Sequence, residues 1–268
     1  MLREYVRRGA KSAQWFLRSE RRLERGLRRL TRLQGPTTLY SHELIVPMTS
    51  TYSPWHDDKA FRSAYDAIRG NTFVDQYKCY ELWEQLGQLG HIDGDILEVG
   101  VWRGGTGVLM AKRAQGVAPE AKVFLADTFE GVAKATAADP WYKGGEHSDT
   151  SPEIVRALAN RLGVSVELLI GIFPDDTEQL VLNRRFRLVH IDVDVYQSAK
   201  DVLEWVWSRL EVGGIVIWDD YGAFECEGVA TLGRSLFNAR MPFVRLLHNI
   251  NGHLVLIKLA EAPLPNLT

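Results

Sequence analysis

The chain has 268 residues, 46% of them hydrophobic and 25% charged, enough apolar content to bury one large core. Its formal charge of −2 lacks the basic excess of a nucleic-acid binder. Two cysteines, Cys79 and Cys226, cannot build a disulfide framework, and no apolar run reaches the ~18 residues of a membrane span, so a cytoplasmic location is expected.

In chain order, residues 1–35 carry eleven Lys or Arg against three Glu, a net +8. Trp15, Phe16, Leu23, Leu27, Leu30 and Leu33 lie at helical spacing. This predicts one or two amphipathic helices ending near Gly35-Pro36. The arginines leave no room for the apolar core of a secretion signal. The segment reads as a helical extension that packs on the domain or on a second subunit, which makes a homo-oligomer the expectation. A helix lying on a membrane surface is the alternative. Residues 36–56, with Pro36, Pro47 and Pro54, read as irregular, so the extension is set at 1–56 and the main domain at 57–268.

Asp57 to Gly70 and Phe73 to Leu89 read as helices. From Gly94 onward, short apolar strands alternate with amphipathic stretches. The strands are 95–99, 123–127, 166–170, 186–191 and 214–218. Such alternation builds a mostly parallel, doubly wound sheet. Residues 243–247 and 253–258 flank an Asn251-Gly252 turn and read as a closing antiparallel hairpin, giving seven strands in all.

Ligands of such sheets bind outside the carboxyl ends of the strands. The first strand runs into Glu98-Val99-Gly100-Val101-Trp102-Arg103-Gly104-Gly105-Thr106. Its glycines allow a tight turn and a close ligand approach, although any tight strand-to-helix turn can use glycine. Asp127 ends the second strand, where a carboxylate can accept both ribose hydroxyls of a nucleoside or simply cap a turn. The fourth strand ends in Asp192-Val193-Asp194 and the fifth in Asp219-Asp220. Four carboxylates at neighbouring strand tips repel one another, and a hard divalent cation such as magnesium would relieve that. Single helix caps are the other reading. Neither motif holds the cysteine or histidine ligands of a zinc site.

Four segments, Leu97 to Gly105, Ala126 to Gly131, His190 to Tyr196 and Trp218 to Gly222, together resemble the macrocin O-methyltransferase family. The resemblance covers roughly residues 70–258. It implies a class I methyltransferase (Rossmann-like) α/β fold, S-adenosylmethionine and Mg²⁺ as cofactors, and a sugar or glycoside hydroxyl as acceptor. By position it implies Asp192, Asp219 and Asp220 as metal ligands and Asp194 as general base. Glu98, Gly100, Gly104, Thr106 and Asp127 become the S-adenosylmethionine contacts. Residues 171–177 resemble the family's G-x-F-x-D-T stretch with one residue extra, so no aspartate is assigned there. Residues 132–152 are long and weakly apolar apart from Trp141 and Tyr142, which suggests a lid. Tyr52, His147 and Tyr196 are candidate acceptor contacts, with Trp55 and His56 as further aromatic candidates. A glycosyltransferase using Asp192-Val193-Asp194 as a D-x-D motif and a catechol-type methyltransferase are the competing activities, and a non-enzymatic nucleotide-binding protein is the third alternative.

Overall fold

The computed structural model describes residues 32–33, 39–43 and 51–265. The chain forms two compact units, Met1–Tyr52 and Ser53–Thr268. In the first unit, Arg32–Leu33 pairs antiparallel with His42–Glu43. This corrects the sequence reading at Arg32 and Leu33: they partner Glu43 and His42 across a ladder, so their backbone bonds run between strands rather than along a helix. The rest of the expected basic helix lies outside the described residues. Among the described residues, no helix is long and apolar enough to cross a membrane.

The larger unit is a seven-stranded sheet between helices. Its strands are β1 (Asp95–Val99), β2 (Val123–Asp127), β3 (Glu167–Ile170), β4 (Phe186–Ile191), β5 (Leu210–Trp218), β6 (Val244–His248) and β7 (Leu254–Lys258). They lie in the order β3-β2-β1-β4-β5-β7-β6. The pairings are parallel from β3 through β5, and β7 runs antiparallel to both β5 and β6. The mostly parallel sheet and its closing hairpin are thus as the strand pattern predicted. β5 begins four residues earlier than expected, because Leu210 already pairs with Phe186.

Alternation along each strand sends successive side chains to opposite faces. Leu97, Val99, Val189, Ile191, Val216 and Trp218 pack on one face with helices α5 (Tyr196–Trp207) and α6 (Glu227–Ala239). Ile96, Leu125, Leu188, Ile215 and Ile217 pack on the other with α1 (Lys59–Ile68), α2 (Gln76–Gln88), α3 (Gly105–Val117) and α4 (Pro152–Leu162). Four polar side chains, Glu98, His190, Asp219 and His253, share the parity of that second row at the strand ends. Each of them is buried.

α1 and α2 start later than the sequence suggested, because aspartates stop them. Asp58 Oδ1 accepts from Phe61 N at 2.9 Å, and Asp75 Oδ1 accepts from Tyr77 N and Lys78 N. Asp58 Oδ2 also accepts from the indole of Trp83 at 3.0 Å, so one side chain caps α1 and ties it to α2. The substitution Asp58→Ala is expected to cost about 2 kcal/mol, one cap plus one orphaned buried indole N–H. Urea unfolding measures it, and a cost under about 0.5 kcal/mol would show that the cap is redundant.

Candidate active site

The strand tips are level. Val99 is paired with Ile191 and Ile191 with Trp218. Each ladder continues one residue further, with Asp192 N donating to Val99 O and Asp219 N to Ile191 O. This register carries Asp192 and Asp219 to the same height. Between the tips and the helices lies a cavity of about 490 Å³, in the usual range for small-molecule sites.

One end of the cavity is the glycine turn. Gly100 has φ +88°, and a Cβ there would stand 1.7 Å from Asp192 O, so only glycine lets β1 and β4 close up at this point. Gly104, at φ +85°, caps α3 from the left-handed region. Asp127 leans over the turn, with Oδ2 accepting from Val101 N (2.6 Å) and Trp102 N (2.8 Å) and Oδ1 accepting from Phe129 N (2.6 Å). Gly100, Thr106 and Asp127 line the cavity. Glu98 does not. Its carboxylate is fully buried beneath the turn, with Oε1 2.9 Å from His190 Nδ1.

The other end is acidic. Asp192, Asp194, Asp219 and Asp220 all line it, and oxygens of Asp192, Asp219 and Asp220 lie within 4.8 Å of one another. The strand tips therefore bring the expected four carboxylates together, and each has a different environment. Burial, with the repulsion of Asp219 and Asp220, drives the Asp192 carboxyl well above its ordinary range. Burial and the neighbouring Asp194 and Asp219 carry Asp220 to about 8. Asp219 goes the other way. Burial alone would raise it, but Lys78, His190 and His253 hold it well below the ordinary value. Lys78 Nζ donates to Asp219 Oδ2 at 2.6 Å and to Asp219 O at 2.8 Å. His253 Nε2 is 2.9 Å from Oδ1, and its Nδ1 is 2.8 Å from Glu81 Oε2. His190 Nε2 stands 3.6 Å from the same Oδ1, too long for a hydrogen bond but close enough for charge attraction. Burial works against the imidazolium of His190, and Asp219 and Glu98 nevertheless keep it protonated up to about 10.

Asp194 sits in the left-handed region at φ +65°, its amide donating to Asp220 Oδ2 at 2.8 Å. Its Oδ1 accepts from the Tyr142 hydroxyl at 2.8 Å and lies 3.6 Å from the Cys226 thiol. Burial raises the Asp194 carboxyl, while Tyr142 and Cys226 pull it part of the way back.

Tyr142 comes from the long connection after β2, from which Val132, Ala133, Tyr142 and His147 line the cavity. That connection is fastened along its length. Asp139 accepts from the amides of Thr136 and Tyr196, Lys134 pairs with Asp201, and Asp149 accepts from the Trp102 indole. His147 lines the cavity, its ring centroid 5.5 Å from that of Phe73. Tyr196 does not line it; it starts α5 and packs against the core. Trp55 packs on Tyr77 and Tyr80. Tyr52 is a highly exposed side chain of the first unit.

No local sequence pattern singles out Lys78, Glu81, His253 or Cys226, and His190 stands out only within the His190-to-Tyr196 motif. Lys78 and Asp219 are 141 positions apart, so no local pattern links them. The only available signal was strand parity, which puts His190 and His253 on the same face as Asp219.

Residues 68–243 match the model of the macrocin-O-methyltransferase (TylF) family. Among curated proteins, the 8-demethyl-8-(2,3-dimethoxy-alpha-L-rhamnosyl)-tetracenomycin-C 4'-O-methyltransferase of Streptomyces olivaceus is 37% identical over 147 residues, covering 50% of this chain and 56% of that protein. The mycinamicin III 3''-O-methyltransferase of Micromonospora griseorubida is 33% identical, covering 48% and 56%. The chain thus spans just over half the length of these relatives. Of solved structures, the O-methyltransferase NovP aligns with a TM-score of 0.61 at 23% identity, over 71% of this chain and 83% of that one. CalS11, a calicheamicin methyltransferase, aligns with a TM-score of 0.56 at 19% identity, over 78% and 94%. These two likenesses establish the fold, a class I O-methyltransferase sheet. With its model matched over well more than half of the sequence, the chain belongs to the macrocin-O-methyltransferase family.

Proposed function

We propose that the chain transfers the methyl group of S-adenosylmethionine to a hydroxyl of a sugar or glycoside, with a magnesium ion held by Asp192, Asp219 and Asp220. The observation that carries this reading is a single cavity running from the Gly100 turn and Asp127 to four clustered aspartates. Family membership favours methyl transfer over a D-x-D glycosyltransferase, which would use neither the turn nor Asp219-Asp220.

The donor end fits a nucleoside with a charged amino-acid tail. Gly100 keeps the floor of the turn free of side chain, and Asp127 stands where ribose hydroxyls would meet a carboxylate. Glu98, from below the turn, would act through His190 rather than by touching the donor.

The acceptor end fits a hard cation. Its donor atoms are carboxylate oxygens that lie close together and repel one another, and burial together with that repulsion holds two of the three carboxyls above their ordinary range. A magnesium ion there would supply Lewis acidity that lowers the pKa of an acceptor hydroxyl. The protein's own part is placement and proton transfer. Tyr142 and Cys226 occupy one oxygen of Asp194, which leaves Oδ2 to take the acceptor proton. Burial makes this carboxylate a stronger base than an exposed one.

Two results are expected. Asp194→Asn should retain S-adenosylhomocysteine binding by calorimetry and lose about 10²–10⁴-fold in turnover, measured by labelled-methyl transfer to a panel of free sugars, glycosides and catechols with Mg²⁺ or chelator. Turnover within a few-fold of the parent would remove Asp194 as base. The second concerns pH. Carboxyls raised in the folded state bind protons more tightly there than when unfolded, so the stability they contribute is present at low pH and lost as pH climbs through their folded values. For Asp220 that value is about 8, and Asp192 moves in the same direction. Asp219, lowered when folded, contributes throughout this window. The metal-free protein should therefore lose Tm between about pH 6 and about pH 8.5, and Mg²⁺ should raise Tm more at the upper end, where the carboxylates need no deprotonation to bind it. Thermal unfolding measures both, and an equal or smaller Mg²⁺ shift at high pH contradicts the metal site.

A further inference from the structure

We propose that Lys78 is a built-in stand-in for the divalent cation: its ammonium holds Asp219 while the metal site is empty and leaves Asp219 Oδ2 when a divalent ion enters. The inference rests on the metal reading above and concerns a residue outside the carboxylate set. Lys78 lies on the first turns of α2, after the Asp75 cap, with its side chain 12% exposed at the cavity wall. Its ammonium has two partners, the Oδ2 and the main-chain oxygen of the same residue, Asp219.

Three residues further along α2, Glu81 holds His253, and His253 holds Asp219 Oδ1. One helix face thus grips the two carboxylate oxygens separately, Oδ1 through an imidazole and Oδ2 through an ammonium. The imidazole side is enclosed: the His253 side chain is wholly buried and bonded at both nitrogens. The ammonium side borders the cavity, where Asp192 and Asp220 present their own oxygens. Lys78 is therefore the one of these two grips standing where an incoming ion would meet Asp219.

Two cations that share one carboxylate oxygen disfavour each other, and this coupling is reciprocal. Whatever affinity Lys78 costs the ion, the ion must cost Lys78 the same amount of the stability it lends the empty protein. Removing its charge should lower the Tm of the metal-free protein and tighten metal binding. Lys78→Met and Lys78→Gln are expected to bind Mn²⁺ about tenfold more tightly than the parent by calorimetry, a coupling of ordinary size. Their metal-free Tm should fall, and saturating Mn²⁺ should narrow the gap to the parent. Lys78→Arg, which keeps the charge, should keep near-parental affinity.

Unchanged or weaker Mn²⁺ binding by both neutral variants overturns the proposal. If the parent itself binds no Mn²⁺, the metal reading of the site falls, and the proposal with it. A measurement on the parent protein needs no substitution. Amine-directed labelling of Lys78, read by mass spectrometry, should speed up several-fold when Mn²⁺ is added. A rate that is unchanged or reduced also overturns the proposal.

Discussion

Gathering four aspartates, two of them buried and two half-buried, at the ends of two adjacent strands is the constraint around which the rest of this fold is arranged. Carboxylates removed from water and held within a few ångströms of one another are costly unless positive charge or hydrogen bonds offset them. The protein spends its internal cations unevenly. Lys78, His253 and His190 converge on Asp219 and keep it ionised, while Asp192 and Asp220 receive little and are driven towards protonation. The cluster is thus anchored by one committed anion and two that depend on what enters the cavity. Such an arrangement suits the proposed hard cation, and the grips on Asp219 hold the cluster together in its absence.

The same strand ends divide the labour between neighbouring residues. Asp192 and Asp194 are two positions apart, yet the left-handed backbone at Asp194 turns its carboxylate towards Tyr142 and Cys226. Asp220 accepts the Asp194 amide, so the carboxylate proposed for the metal also fixes the loop that carries the proposed base. On that proposal the two roles fall to different side chains and are mechanically linked. At the opposite end of the cavity, the missing Cβ of Gly100 lets β1 and β4 come together, which brings the donor turn close to Asp192.

Much of this could be read in the sequence. β1, β2, β4 and β5 are legible as apolar runs leading to Gly100, Asp127, Asp192 and Asp219, because strands buried on both faces need such runs and ligands of parallel sheets bind beyond their ends. The closing hairpin was legible from its turn. Helix starts were missed by two or three residues because Asp58 and Asp75 cap from inside segments whose apolar spacing continues upstream. What stayed hidden depends on contacts between distant parts of the chain. Nothing near Lys78 signals that Asp219 will be its partner, and Glu81 looks like one more solvated helix residue until His253 is folded against it. Nearness to Asp194 in sequence does not settle where Tyr196 lies: it starts α5 and packs partly buried against the core.

The central claim is that Asp192, Asp219 and Asp220 share one hard cation beside the donor cavity. An anomalous difference map from a crystal soaked in Mn²⁺ and S-adenosylhomocysteine tests it most directly. The account predicts a single peak bounded by oxygens from all three aspartates, with the nucleoside running back over Gly100 to Asp127. A map with no peak between the three carboxylates, or with the ion bound elsewhere while Asp219 remains paired only to Lys78 and His253, would contradict it.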